Sequence, residues 1–397
     1  RILKYRNKKL RRNLQKNSRK YKNVYIKLMT IMFLLIIFVF VGLNLIIKDK
    51  EFSENENRIL QQKPKFTFDR LFEGRYTKKY EKYTVDQIVG RDEFIKVKTK
   101  VDSLLGKNSE NGVYKGKDGY LIENFNKPNK EYLKANIEAI NKFANKHKDI
   151  NQYMLIAPNS VNILSDKLPN FAPVYDQDKY LKELNKSIDN EVKFINVSDS
   201  LKDHKKEYIY YKTDHHWTTL GAYYAFLDFA NQAGLDVNPN GYEKYRVSND
   251  FYGTLYSKSG YKVDPDKVDI FTPKDKNDQV IVEYKEEKKK SPTIYNSEAL
   301  KKKDKYEVFL GGNHPLVDIK TTSESDKVLL LVKDSYANSF VQFLTHYYKE
   351  IIMVDPRYYY EDIEKLIKDK NITDMLYLYN SNTFFNDSSL APVLNNI

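Results

Sequence analysis

The sequence of 397 residues has no cysteine, a single tryptophan and only six histidines. Without cysteine there are no disulfides, so the folded state has to rely on its hydrophobic core. A chain of this length can bury such a core in one large domain or two modest ones. Two of the scarce histidines stand beside the only tryptophan, in the stretch Asp214-His215-His216-Trp217.

Net charge is nearly absent once the first 27 residues are set aside. The whole chain carries a formal charge of +13, but residues 1–27 contain twelve Lys and Arg and no acid. The remainder therefore holds 67 − 12 = 55 basic residues against 54 acidic ones. Because the excess belongs to a tail and not to a binding face, the composition does not support nucleic-acid recognition, and we expect no nucleic-acid partner.

A long uncharged run follows the basic tail. Residues 28–47 are free of charge, and twenty helical residues cross a hydrocarbon core of about 30 Å. A secretory signal would have a shorter apolar core and a small-residue cleavage site, and a buried core helix would show an amphipathic face or a cap. The positive-inside rule then predicts a cytoplasmic tail at 1–27, a transmembrane signal anchor at 28–47 and an extracellular remainder on a single-pass protein of the cell membrane.

The exterior part reads as two segments. Residues 48–128 contain helical stretches up to about 89 and from 93 to about 105, then a β-hairpin at 113–122. From 129 onwards helices and strands alternate, which predicts an α/β domain over 129–397 with a mostly parallel sheet flanked by helices. Residues 240–325 interrupt this alternation and read as a β-rich insertion. The alternating elements are predicted at helix 129–148, strand 153–157, helix 176–190, strand 193–197, helix 219–233, strand 328–332, helix 336–348, strand 351–354, helix 360–369 and strand 375–379.

Asp214 and His216 have the spacing of a cooperating acid and base. Residues two apart in an extended segment point the same way, so these side chains can lie together while His215 points elsewhere. The helix that follows, capped by Thr218 or Thr219, would help to keep a nearby histidine neutral. The structural alternative is a solvated turn beside a core tryptophan.

Ser335 follows the predicted strand 328–332, at the edge where open α/β sheets bind ligands. A serine nucleophile needs a base, and that base needs an acidic partner, which His216 and Asp214 would supply. Alternatively, Ser335 only caps the next helix. We therefore predict the catalytic set Ser335, His216 and Asp214. Further candidates for oxyanion or substrate contacts are Asn380, Asn382, Arg357, His215, Trp217 and Tyr336.

A metal-binding site is the other specific function that the Asp-His-His stretch could indicate. Zinc and manganese sites need a third and usually a fourth ligand, and the remaining histidines stand in Lys- or Tyr-rich surroundings. A metallophosphoesterase would also need acid-rich motifs that the sequence does not show. We therefore expect neither a metal nor another cofactor.

Taken together, these motifs resemble the DHHW proteins of low-GC Gram-positive bacteria. The resemblance rests on Asp214–Trp217 and on Lys333-Asp334-Ser335-Tyr336-Ala337-Asn338, and extends to 52–58, 90–92, 116–121 and 157–160. This family is similar to the alginate O-acetyltransferase (AlgX/AlgJ-like) group of SGNH-hydrolase-like enzymes, which use an Asp-x-His pair and a later serine. The surroundings of Ser335 read Asp-Ser-Tyr-Ala, where the acetyltransferases usually show Gly-x-Ser.

The resemblance implies an SGNH-hydrolase-like fold and acetyl transfer to hydroxyls of a cell-surface or secreted polysaccharide through an acyl-serine. It also implies a multi-pass membrane O-acyltransferase as the partner that supplies acetyl groups. Two alternatives remain open: a carbohydrate O-acetyl esterase with the same triad, and a non-catalytic surface protein that binds polysaccharide or assists its assembly.

Overall fold

The structure, a computed structural model, describes residues 2–53, 58–274 and 278–396. The chain divides into two compact units, Arg1–Val97 and Lys98–Ile397. Helix α4 contains the boundary between them. Each unit is described by itself below.

The first unit is dominated by one long helix. Within it, Tyr21–Ile46 is long and apolar enough to cross a membrane, and its most apolar window is not buried by any described part of the chain. It is an N-terminal apolar helix of the kind that serves as a membrane anchor or a signal sequence. The elements of this unit are α1 (Ile2–Ile46), β1 (Phe52–Ser53), β2 (Arg58–Ile59), α2 (Phe68–Phe72), α3 (Arg75–Gln87) and the start of α4 (Arg91–Leu104).

The second unit alternates helices and strands along most of its length. Its strands are β3 (Ser109–Glu110), β4 (Val113–Lys115), β5 (Leu121–Glu123), β6 (Asn151–Ala157), β7 (Val192–Ile195), β8 (Tyr242–Phe251), β9 (Asp266–Pro273), β10 (Val280–Tyr284), β11 (Lys289–Ser291), β12 (Leu316–Thr321), β13 (Val328–Lys333), β14 (Glu350–Val354) and β15 (Asp374–Asn380). Its helices are α5 (Lys130–Lys146), α6 (Ser160–Ile163), α7 (Gln177–Ser187), α8 (Ser198–Asp203), α9 (Thr219–Ala233), α10 (Thr254–Ser259), α11 (Ala337–Phe340), α12 (Ile363–Lys370), α13 (Ser381–Phe384) and α14 (Leu390–Asn395).

One large sheet organises this unit. Its strand order, over the described residues, is β11-β10-β12-β14-β13-β15-β6-β7. The strands from β14 to β7 pair in parallel, whereas β11, β10 and β12 add an antiparallel edge. β13 and β15 lie in the middle and are buried along their whole length, as the uninterrupted apolar runs require. The predicted α/β class, with a mostly parallel sheet flanked by helices and a β-rich insertion, is confirmed.

The insertion at 240–325 is more closely integrated than its irregular sequence indicates. Its strands β8 and β9 pair with each other as an antiparallel ribbon. Its strands β10, β11 and β12 join the main sheet itself, through β12 against β14. The segment thus extends the sheet and also reaches the candidate site described below.

The helix predicted over 336–348 is wrong in extent. The structure shows the single turn α11 followed by a 3₁₀ turn at Val341–Phe343. The Ser339 carbonyl accepts the Gln342 side-chain amide, which competes with the regular helical bond. All residues of 336–346 are also buried, so this segment is enclosed by other elements and does not present the one-sided apolar stripe of a surface helix.

Candidate active site

Ser335 occupies the turn between β13 and α11, at the carboxyl edge of the parallel strands. From Val328 to His346 every residue except Ser335 is buried, whereas Ser335 itself is partly exposed. Within the described chain, its backbone N–H donates to no protein acceptor. A serine hydroxyl that solvent can reach, beside an unused amide donor, is the arrangement that acyl transfer needs for attack and for stabilising an oxyanion.

The structure brings Asp214, His216 and Ser335 into one hydrogen-bonded chain. His216 Nε2 lies 2.8 Å from Ser335 Oγ. On the other side of the ring, His216 Nδ1 lies 2.5 Å from Asp214 Oδ1. His216 and Ser335 are 119 positions apart in the sequence, and the fold alone brings them together. The order acid, base, nucleophile is the order of a catalytic triad.

The local shape of the Asp-His-His stretch differs from the extended segment that the spacing argument assumed. Tyr210 and Trp217 pair as an antiparallel bridge, and the residues between them form a tight loop of bends. Asp214 and His216 meet because the Asp214 carboxylate also accepts the His216 backbone N–H, at 3.1 Å. Such a side-chain bond to a backbone two residues later is a common device of aspartate in turns.

The Asp214 carboxylate has four donors in all. Oδ1 accepts the ring and backbone N–H groups of His216. Oδ2 accepts the backbone N–H of Thr254 at 2.8 Å and its hydroxyl at 2.9 Å. Since a carboxylate only accepts, His216 carries its proton on Nδ1, which leaves the Nε2 lone pair for the Ser335 hydroxyl. This is the tautomer of a general base.

Burial and charge set the ionisation of this pair. Burial by itself raises the pKa of Asp214, but the neighbouring His215 and His216 and the hydrogen bonds from His216 and Thr254 outweigh it, so the pKa lies well below its usual range. Burial, followed by the charge of His215, lowers the pKa of His216 to about 4, against the opposing effect of Asp214. At neutral pH the site therefore holds a carboxylate and a neutral imidazole, as base catalysis requires.

A buried tyrosine covers the base. The ring of Tyr306 stacks on His216, with centroids 3.8 Å apart and planes inclined by 11°. Its hydroxyl donates to the Ser335 carbonyl at 2.9 Å and lies 3.1 Å from Ser339 Oγ. One side chain thus contacts both His216 and the segment that carries Ser335.

Asp266 anchors the chain just before the acid. Its carboxylate accepts the Lys212 N–H at 2.8 Å, the Thr213 N–H at 2.6 Å, and the hydroxyls of Thr213 and Tyr208. Asp266 is buried, and burial raises its pKa against these bonds. Asp266 and Thr254 both lie in the insertion. The insertion therefore holds the Asp-His-His loop at two places, at residues 212–213 through Asp266 and at Asp214 through Thr254.

The other predicted contact residues divide into two groups. His215, Trp217 and Tyr336 surround the triad: His215 Nδ1 lies 2.7 Å from Thr254 Oγ1, and the Tyr336 hydroxyl donates to the His215 carbonyl. The buried Trp217 donates its indole N–H to the Tyr336 carbonyl and to Ser339 Oγ, both at 3.1 Å. These bonds tie the Asp-His-His loop to the turn that carries Ser335.

Asn380, Asn382 and Arg357 make other contacts. Both amide hydrogens of Asn380 are engaged, by Asp334 and Thr383. The Asn382 side chain bridges the backbone of residues 124 and 126, and Arg357 forms a two-point ion pair with Asp355. The structure does not bring these three side chains onto the Ser335 hydroxyl.

Asp214, His215 and His216 are also the residues that could hold a metal ion, since one ligand atom from each lies within 4.8 Å of the others. In the described chain their atoms are largely engaged already. Asp214 has its four donors, and His216 bonds on both ring nitrogens. A metal would have to replace the hydrogen bond to Ser335 or that to Asp214, so it would compete with the triad.

The sequence analysis did not identify Thr254, Tyr306, Asp266 and Ser339. The only local signal was Gly253: a Cβ added there would lie 2.3 Å from that of Asp214, so only glycine lets the insertion approach the acid so closely. The buried tyrosine and Asp266 have no pattern that distinguishes them from the many other tyrosines and acids of the chain.

Comparisons with known proteins identify the family of the chain. The sequence model of the family described as "DHHW protein" matches residues 113–354, which include the Asp-His-His loop, the insertion and Ser335. No curated protein matches the chain significantly.

Two solved structures, each 24% identical to the chain, show the same fold. A DHHW family protein from Eubacterium siraeum is 24% identical with a TM-score of 0.62, over 72% of this chain and 96% of that one. Bacillus cereus PatB1, solved with a sulfonyl adduct, is 24% identical with a TM-score of 0.59, over 68% and 95%. The O-acetyltransferase domain of Pseudomonas putida AlgJ is 14% identical with a TM-score of 0.45, over 72% and 100%. The family match covers well over half of the sequence, and the chain belongs to the DHHW protein family.

Proposed function

We propose that this protein is a membrane-anchored extracellular O-acetyltransferase that modifies hydroxyl groups of a cell-surface or secreted polysaccharide. The observation that carries the proposal is the hydrogen-bonded chain from Ser335 Oγ through His216 to Asp214. The polysaccharide acceptor and the acetyl group come from the family resemblance and not from a contact in the chain.

The first half-reaction forms an acyl-serine. Ser335 Oγ attacks the carbonyl carbon of an acyl donor while its proton passes to His216 Nε2. The negative charge that develops on the carbonyl oxygen meets the free backbone N–H of Ser335. When the intermediate collapses, the bond to the donor's leaving group breaks, and that group takes the proton from His216. Asp214 stays ionised and stabilises the imidazolium throughout.

The second half-reaction passes the acyl group on. A sugar hydroxyl gives its proton to His216 Nε2 and its oxygen attacks the acyl carbon. The bond to Ser335 Oγ then breaks, and Ser335 takes the proton back from His216. No cofactor takes part in either half-reaction.

A carbohydrate esterase is the second candidate, because the partial exposure of Ser335 would admit water as easily as a sugar. The two reactions share every step up to the acyl-serine and differ only in the acceptor. The sulfonyl adduct of PatB1 supports covalent chemistry in this fold, since sulfonyl reagents react with activated nucleophiles in the way acyl donors do.

The decisive experiment uses the full chain and three readouts. Purified protein is tested for cleavage of p-nitrophenyl acetate and for labelling by a serine-reactive fluorophosphonate. In a third assay it is incubated with an acetyl donor and oligosaccharide acceptors, and acetylation of the oligosaccharides is measured by mass spectrometry. Ser335→Ala should abolish ester cleavage and labelling. Ser325→Ala, which truncates another partly exposed serine outside the site, should leave both intact.

Each outcome has a definite meaning. Ester cleavage with unmodified oligosaccharides would replace the transferase by the esterase. If the unaltered protein neither cleaves the ester nor is labelled, both enzyme functions are excluded and the non-catalytic surface protein is the remaining alternative. Activity that survives Ser335→Ala but disappears with a chelator would favour a metal on Asp214, His215 and His216.

The cellular placement belongs to the same proposal. The segment 28–47 is the anchor, with 1–27 in the cytoplasm and residues 48–128 and 129–397 outside as a hairpin-containing segment and an SGNH-like domain. Protease added to intact cells should then remove the exterior part and spare the tail. A multi-pass membrane O-acyltransferase that supplies acetyl groups should copurify with the full chain in mild detergent and be lost when 1–47 is removed.

A further inference from the structure

A group of exposed apolar side chains lies at the turn between α3 and α4 in the first unit. We call Val85, Ile88, Phe94 and Val97 the corner patch. Their exposed fractions are 57%, 38%, 55% and 61%. Phe94 and Val97 lie three apart on α4 and share one of its faces, whereas Val85 is in the last turn of α3 and Ile88 is the residue that ends it. Grouped apolar side chains at a surface indicate a contact with something other than water.

The corner is fixed beside the last turns of the apolar helix α1. The Val89 N–H donates to the side-chain oxygen of Asn44 at 3.0 Å. The ring of Phe94 meets that of Phe40 edge-on, with centroids 5.9 Å apart. The end of α3 is also held by the chain that leaves α1, since the Lys50 N–H donates to the Gln87 side chain at 3.0 Å.

These contacts set the depth of the corner relative to a membrane. At about 1.5 Å per residue, a span over 28–47 fills the hydrocarbon layer of about 30 Å. Phe40 precedes the end of that span by two helical turns, which places it roughly 10 Å inside the layer. A side chain that touches Phe40 cannot then lie in bulk water, and Phe94 does touch it.

We propose that the corner patch is inserted into the outer surface of the lipid bilayer, beside the span that anchors the chain. The proposal rests on the membrane anchoring in the proposed function and goes beyond it, because it gives the exterior part a second contact with lipid. Lys48 and Lys50 directly follow the proposed span over 28–47, where anionic headgroups would lie. Apolar side chains in the acyl region with lysines at headgroup level are typical of interfacial segments.

Lipid is a better occupant than a partner protein because of what already surrounds α1. No side chain in the most apolar window of Tyr21–Ile46 is buried by the described chain, although Phe94 contacts Phe40. In a bilayer that surface is met by acyl chains, and the corner patch continues it at one end through Phe40 and Phe94. The patch needs no groove or complementary partner to be buried.

The test places a fluorescent reporter in the patch. The full chain carrying Phe94→Trp is reconstituted into vesicles of phosphatidylcholine and phosphatidylglycerol, with and without bromine on the acyl chains. Tyr360→Trp is the matched control, an aromatic replacement at a side chain that is 89% exposed in the second unit. The native Trp217 is buried and adds the same background to both. Val97→Trp repeats the measurement from a second position of the patch.

Brominated lipid should lower the added emission at positions 94 and 97 by roughly twofold or more and leave that at position 360 unchanged. Equal emission with both lipids at 94 and 97, in protein that floats with the vesicles, would overturn the proposal while leaving the anchor intact. Protein that fails to float with the vesicles would overturn the anchor and the corner contact together. Since no other protein is present, quenching also excludes the need for a protein partner at this surface.

Discussion

Replacing Tyr306 tests what keeps the base neutral. Its ring covers His216 at 3.8 Å, and burial is the largest cause of the lowered pKa of His216. Tyr306→Leu removes the ring that stacks on His216 and lets water reach the imidazole. The pKa of His216 should therefore rise from about 4 towards the ordinary value near 6.5. A general base works only when unprotonated, so the acid limb of kcat/KM should move upward in pH by the same amount.

Tyr306→Phe separates the ring from its hydroxyl. Phenylalanine keeps the stack and loses the bonds to the Ser335 carbonyl and Ser339 Oγ. Each bond contributes about 1 kcal/mol, so the free energy of unfolding should fall by about 2 kcal/mol. The acid limb should stay in place and kcat/KM should fall no more than about tenfold. Leucine also creates a cavity and should cost about 3 kcal/mol of stability, with a loss of about 100-fold in kcat/KM as His216 shifts.

The assay is hydrolysis of p-nitrophenyl acetate by the full chain, followed from about pH 3 to about pH 9 to cover both histidine states. Thermal unfolding of each variant shows that activity is measured on folded protein. An acid limb at the same pH in the leucine and unaltered proteins would refute the role of the ring in setting the pKa of His216. An equal shift in the phenylalanine variant would assign that role to the hydroxyl instead.

Three further predictions concern Asp214, the neighbouring Gly253 and the titration of His216. Asp214→Asn should lower kcat by about 10⁴-fold with little change in KM, because an amide cannot stabilise the imidazolium, and steady-state kinetics checks this. Gly253→Ala should destabilise the protein and reduce activity, because its Cβ would lie 2.3 Å from the Asp214 Cβ; an unchanged melting temperature would contradict the close approach. Stability should be lost as the pH falls from about 6.5 towards about 4, since the folded pKa of His216 lies below the unfolded one and the unfolded chain binds the proton first. His216→Gln should flatten that part of a denaturation series.

The sequence could predict the elements that local patterns determine. The buried strand that precedes Ser335 is visible in the sequence as an apolar run, and the helix that follows Thr218 is visible from its favoured cap. Both are present in the structure. The proximity of Asp214 and His216 was expected, although the loop achieves it through an Asx-type turn rather than an extended strand. Short spacing constrains two side chains whichever of these backbones is used.

The contributions of the insertion could not be predicted in the same way. Thr254 lies 40 residues after Asp214, and Tyr306 lies 29 residues before Ser335. Their contacts depend on how irregular segments pack, and such packing leaves no periodic trace in the sequence. The predicted helix at 336–348 failed for a related reason, because enclosure by neighbouring elements decided its backbone more than its own residue preferences did.

The insertion contributes to the charge state of Asp214, because hydrogen-bond donors favour the ionised form of a buried carboxylate. Two of the four donors to Asp214 come from His216, which must itself change charge during each reaction cycle. The other two come from Thr254, whose N–H and hydroxyl stay the same in every step. Removing these fixed donors would raise the pKa of Asp214, and a protonated Asp214 could no longer stabilise an imidazolium at His216. The segment that interrupts the α/β pattern therefore supplies two of the four hydrogen bonds that stabilise the charged form of Asp214.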